Sequence, residues 1–191
     1  MLVGTPSPPT HPRHRRWWPR ALVGLGLVLL AGLMLLSRDP APLPVPSQTA
    51  GLPLRAHLFG SEAADAIRQI RRTRFPLTGA AVAIYGSDSP PATVWGARTW
   101  GARLLTVWMT QAITRSDTPF TPVGSRRVSG VLVHELTGMG QAHFYFQVRD
   151  RVYWLAATPG RADQGLQALL GFALDVAQTG KAPRFTREDH G

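Results

Sequence analysis

Residues 21–36 read ALVGLGLVLLAGLMLL, sixteen consecutive positions without a charged or strongly polar side chain. A helix of that length spans about 24 Å at 1.5 Å per residue, a little under the roughly 30 Å of a bilayer's hydrocarbon core. Trp17 and Trp18 precede the run, and Arg20 and Arg38 bracket it. Tryptophan suits the membrane interface, and arginine reaches past a helix end to keep its guanidinium in water. Charged and proline-rich sequence flanks both ends, so nothing nearby covers the run as a core helix. A cleaved secretory signal has the same basic start, but no small-x-small site follows promptly, since the chain continues as Ser37-Arg38-Asp39-Pro40. The run therefore reads as one uncleaved transmembrane helix, with the lipid bilayer as its partner.

Charge sets the expected orientation. Arg13, Arg15, Arg16 and Arg20 lie on the N-side with no acid among them, whereas Arg38 on the C-side is offset by Asp39. The positive side stays in the cytoplasm. Residues 1–20 are then a basic cytoplasmic tail, and the bulk of the chain lies outside. Lys181 is the single lysine among 21 basic residues, a bias that fits a GC-rich bacterial genome. The expected location is thus the inner (cytoplasmic) membrane of a bacterial envelope.

Beyond the run, residues 37–53 place proline at positions 40, 42, 44, 46 and 53. Proline lacks an amide proton and restricts the residue before it, so this segment reads as an extended linker. A domain over residues 54–180 follows, and a polar tail over 181–191. The domain opens with SEAADAIRQIRRTRF, whose Ala63, Ile67 and Ile70 form a helical stripe ended by Pro76. Strands are expected at AAVAIYG and ATVWGA, then a helix at ARLLTVWMTQAI with Leu104, Leu105, Trp108, Met109 and Ile113 on its buried side. One strand is expected from Val128 to Leu136, a hairpin over 140–157, and a last helix from Ala162 to Val176. The expected fold is α+β, an antiparallel sheet of about five strands with helices packed on one face, preceded by the transmembrane helix.

Several chemistries are excluded or weakened. With no cysteine, thiolate zinc, iron–sulfur and disulfide frameworks are absent. His134-Glu135 lacks the second histidine of a zincin helix, and Ser129 lacks the G-x-S-x-G elbow. His134 and His143 approach each other across a hairpin only without an evident third ligand. No catalytic, cofactor-binding or metal site is assigned, and no cofactor. From residue 51 onward, sixteen Lys and Arg face ten Asp and Glu, an excess of six. That favours anionic partners, yet no nucleic-acid motif is present, and nucleic acid is not expected as a partner.

Two candidate surfaces remain. Alternation in GQAHFYFQVRDRVYWLAA puts Phe144 and Phe146 on one face and His143 and Tyr145 on the other. A two-residue turn at Arg149-Asp150 sets Tyr145 against Trp154 and Phe146 against Tyr153. His143, Tyr145 and Trp154 form a candidate recognition face, and plain sheet packing explains the same aromatics. Arg68, Arg71, Arg72 and Arg74 crowd one helix end as a candidate basic patch for an anionic headgroup or an acidic envelope protein; dipole-matched, solvated arginines are the plainer account. The expected function is a membrane-anchored extracytoplasmic binding or scaffolding protein. A small-ligand-binding domain and an envelope hydrolase are the alternatives, and a deep apolar pocket beneath the sheet would favour the first of these.

Overall fold

A computed structural model of the chain describes residues 39–71, 75–87, 90–115 and 118–180. The run at 21–36 and the tails at 1–20 and 181–191 lie outside the described residues. No described helix is long and apolar enough to cross a membrane.

The described fold is a curled antiparallel sheet, a half-barrel, with three helices. Its strands are β1 (Ala41–Pro42), β2 (Gln48–Thr49), β3 (Leu52–Phe59), β4 (Gly79–Tyr85), β5 (Ala92–Arg98), β6 (Thr121–Val128), β7 (Val131–Gly138), β8 (Gln141–Val148) and β9 (Arg151–Ala157). The helices are α1 (Gly60–Arg71), α2 (Ala102–Arg115) and α3 (Pro159–Thr179). The order across the sheet is β2-β3-β4-β5-β9-β8-β7-β6, with β1 pairing in parallel beside β4.

The expectation of about five strands with helices on one face is overturned in three places. First, Val128 to Leu136 is not one strand. Ser129 and Gly130 both take positive φ, 49° and 80°, and make a tight turn of the type I′ kind between β6 and β7. Met139 and Gly140 repeat this at 54° and 74°, and Arg149 opens the β8–β9 turn at 55°. Two-residue turns pin the register, giving Tyr145↔Trp154 and Phe146↔Tyr153.

Second, part of the proline-rich segment is sheet. Its prolines alternate, which leaves the amides of Ala41 and Leu43 free to donate to Thr78 and Ala80 carbonyls at 3.0 and 3.2 Å. The proline nitrogens fall on the other edge, where no ladder bond is needed. Leu43 and Val45 are thereby carried into the core at 1% and 4% exposure.

Third, helices cover both faces. Phe144, Phe146, Tyr153, Leu155 and Val94 pack under Leu166, Leu169, Leu170 and Ala173 of α3. On the opposite face, Tyr145, Val152, Trp154 and Ala97 pack under Ala63 and Ala64 of α1 and Leu105, Met109 and Ile113 of α2. The unbroken apolar run VYWLAA of β9 is the sequence counterpart, since a central strand buried on both faces loses its alternation. The close approach of α3 to the sheet depends on Gly165, where an added Cβ would lie 3.1 Å from Ala50 and 3.2 Å from Leu155. Arg126 of β6 ties this side together through ion pairs to Glu135 of β7 and Asp163 of α3.

Candidate apolar site beneath two helices

The face covered by α1 and α2 carries a row of aromatic rings across four neighbouring strands. His134 of β7 stacks on Tyr145 of β8 at 4.5 Å and 13°, and Tyr145 stacks on Trp154 of β9 at 5.5 Å and 12°. Trp154 meets Trp95 of β5 edge-on at 6.5 Å. The register places each pair directly opposite, which is why the rings touch. Phe120, just before β6, closes edge-on over both Trp154 at 5.4 Å and His143 at 4.8 Å.

Several polar groups within this row are paired. Trp154 donates its indole N–H to His143 Nδ1 at 3.3 Å, while His143 Nε2–H donates to the Gly138 carbonyl at 3.0 Å. An imidazole that accepts at Nδ1 and donates at Nε2 is in its neutral form. Thr110 of α2 bonds the Tyr145 hydroxyl at 2.8 Å, and Ser125 bonds His134 Nδ1 at 2.8 Å. Burial pushes the His134 imidazole below its ordinary value.

Against the row lies a cavity of about 240 Å³. Trp95, Trp154, Trp108, Met109, Phe120 and Ile67 supply much of its wall, and Gln141 and His143 are its polar edge. Met139 stands at its rim, 71% exposed. Among the described residues no Asp, Glu, Lys or Arg lines it. The Gln141 amide is already turned to the Pro91 carbonyl at 2.9 Å. The described lining therefore offers aromatic and thioether surface with a little hydrogen-bonding capacity and no fixed charge.

The chain matches no family model, no curated protein and no solved structure.

The three residues of the expected recognition face do come together. They do so as a buried wall rather than an open surface: His143, Tyr145 and Trp154 are 3%, 2% and 3% exposed. The sequence predicts both helices, and Trp108 on the buried side of the second, but not that they cover this face, so Trp95 and Phe120 are not anticipated as neighbours of these rings. The signal for Trp95 was present, since ATVWGA alternates Val94 and Trp95 onto opposite faces and both are large. Phe120 sits in a loop and has no periodicity to betray it.

The expected basic patch is only partly described. Arg68 is half exposed and ion-paired to Asp65 at 2.8 Å one turn earlier. Arg71 ends α1, with its side chain outside the description, and Arg72 and Arg74 lie outside the described residues. His134 and His143 share a face, but His134 pairs with Tyr145 and His143 with Leu136. Among the described residues no three His, Asp or Glu side chains gather around a metal-sized position. The Ser125–His134 pair has the atoms of a nucleophile and base, yet among the described residues no carboxylate is bonded to His134 to orient it.

Proposed function

We propose that this protein is a membrane-anchored binding domain that holds a small, uncharged, largely apolar ligand between α1, α2 and the sheet. The cavity itself carries the reading: aromatic and sulfur-bearing walls, two polar side chains at one edge and, among the described residues, no charge. Ligand sites commonly combine an apolar lining with a few placed polar groups. An engineered cavity of about 150 Å³ is enough for benzene, so a space near 240 Å³ suits a one- or two-ring compound or a short acyl segment. Charged ligands are disfavoured because nothing in the described wall repays their desolvation. The uncharged run at 21–36 supports the anchoring half of the proposal.

A neutral reporter, N-phenyl-1-naphthylamine, tests this in the detergent-solubilised full chain. Saturable dye emission with quenching of tryptophan fluorescence is expected, and Ala97→Leu, which fills the cavity from β5, should remove the saturable part. Equal dye response in the two proteins, with near-UV circular dichroism unchanged, would show that the dye reads only the micelle and would sink the proposal.

A further inference from the structure

The inner side of α2 is used by the core, but its outer side is apolar as well. Trp100 just before the helix, and Leu104 and Val107 within it, are 72%, 63% and 45% exposed. Their spacing of four and three residues makes one stripe. Arg103 and Arg115 lie exposed on the same helix, which contains no Asp or Glu. An apolar stripe accompanied only by positive charge is the pattern of a helix that lies on an anionic membrane surface.

Register adds a second, independent argument. Arg98 pairs with Gly79, and Gly79 pairs with Ala41. Arg98 is therefore about two strand spacings, or 10 Å, from Ala41, and Trp100, two residues on, stands at the end of the sheet where the chain enters it. The uncharged run ends at Leu36 and β1 begins at Ala41. The four residues between them reach at most about 17 Å when extended.

We propose that the outer face of α2 docks on the anionic surface of the bilayer, with Trp100, Leu104 and Val107 at the acyl boundary and Arg103 and Arg115 among the headgroup phosphates. This rests on the reading of residues 21–36 as a membrane span. It brings the helix that carries Leu105, Trp108 and Met109, one wall of the cavity, to the lipid surface.

The absence of cysteine gives a direct test in the full chain. Leu104→Cys and, on the far face of the sheet, Ala168→Cys each provide a single nitroxide site. In vesicles of phosphatidylcholine and phosphatidylglycerol, the label at 104 should be relaxed more by oxygen than by a water-soluble nickel chelate, and the label at 168 the reverse. Adding Arg103→Gln and Arg115→Gln should shift the label at 104 toward nickel. Equal nickel access at both positions in protein that floats with the vesicles after an alkaline wash would overturn docking while leaving the anchor intact. Protein that does not float would overturn both. Dipolar broadening between labels at 104 would show that a second copy covers the stripe, and would also overturn the proposal.

Discussion

Trp154 and His143 are joined across neighbouring strands by an indole N–H donated to Nδ1 at 3.3 Å, inside a layer that two helices cover. The bond fixes the face that both rings present to the cavity. Replacing His143 with Leu keeps the volume close but removes the acceptor. The expected loss is about 1–3 kcal/mol, the usual cost of stranding a buried polar group. Urea unfolding followed by near-UV circular dichroism measures it; an unchanged midpoint would mean that this bond contributes nothing.

A second expectation concerns the two rings side by side on β8. From alternation alone Phe146 belongs in the core and Tyr145 on an open face, so Tyr145→Ala would be the milder change. Both are in fact almost fully buried, at 0% and 2% exposure, and Tyr145 also bonds Thr110 at 2.8 Å. Each truncation should therefore cost about 3–5 kcal/mol. Comparable midpoint shifts in denaturant for Tyr145→Ala and Phe146→Ala are the result to look for. A shift confined to Phe146→Ala would mean that α2 does not cover this face in solution.

Why the sequence showed the β8–β9 hairpin and not the second layer is a matter of which contacts are local. Arg149-Asp150 and the flanking runs are contiguous, so turn chemistry and period two fix Tyr145 against Trp154. The covering of that pair depends on Leu105 and Met109, forty residues away, and no periodicity states which sheet face a helix will choose. Ala41 and Leu43 illustrate a different gap. Alternating prolines look like a linker by composition, and only the position of the free amides shows that an edge strand survives. Ser129-Gly130 was legible and passed over, because the apolar residues on either side invite one long strand.

The domain boundary gives a third prediction. Leu43 and Val45 are buried with Leu155 and Leu166 in one cluster, and Tyr85 donates its hydroxyl to the Pro46 carbonyl at 2.9 Å. A fragment of residues 39–191 should express in soluble form and unfold cooperatively, whereas 54–191 should aggregate or melt without a sharp transition. Soluble, cooperative 54–191 would return residues 39–53 to the status of a linker.

Gly138 supports a fourth. Its carbonyl receives His143 Nε2–H, and a Cβ added there would collide with the Pro119 carbonyl and come within 2.9 Å of the Phe120 ring. A backbone neighbour cannot step aside as a flexible side chain can. Gly138→Ala should thus displace Phe120 from Trp154 and weaken both stability and dye binding. Gly140→Ala is the comparison, since nothing lies within 4 Å of its added Cβ and only its φ of 74° is strained. That variant should lose roughly 1 kcal/mol and bind dye as before. Loss of binding in both variants alike would detach the effect from Phe120.

The last prediction is a pH dependence carried by His134. Its imidazole lies under Tyr145 and against Ser125, and burial lowers its pKa from the ordinary 6.5. The unfolded chain then takes up its proton first as pH falls. Below about pH 6.5 the unfolded state gains relative to the folded one, until the folded imidazole also protonates. The contribution is present in full above the unfolded value and is lost as pH drops through the folded value, so stability should fall on acidification. Five other histidines and the acids titrate as well, which makes the difference between proteins the useful quantity. His134→Gln keeps an amide able to reach Ser125 and cannot take up a proton in this range. Unfolding midpoints of wild type and variant at pH 7.5 and pH 5.5 should converge on the acidic side if His134 supplies part of the slope. Parallel lines between the two proteins would mean that the stacked imidazole titrates as it does in the unfolded chain.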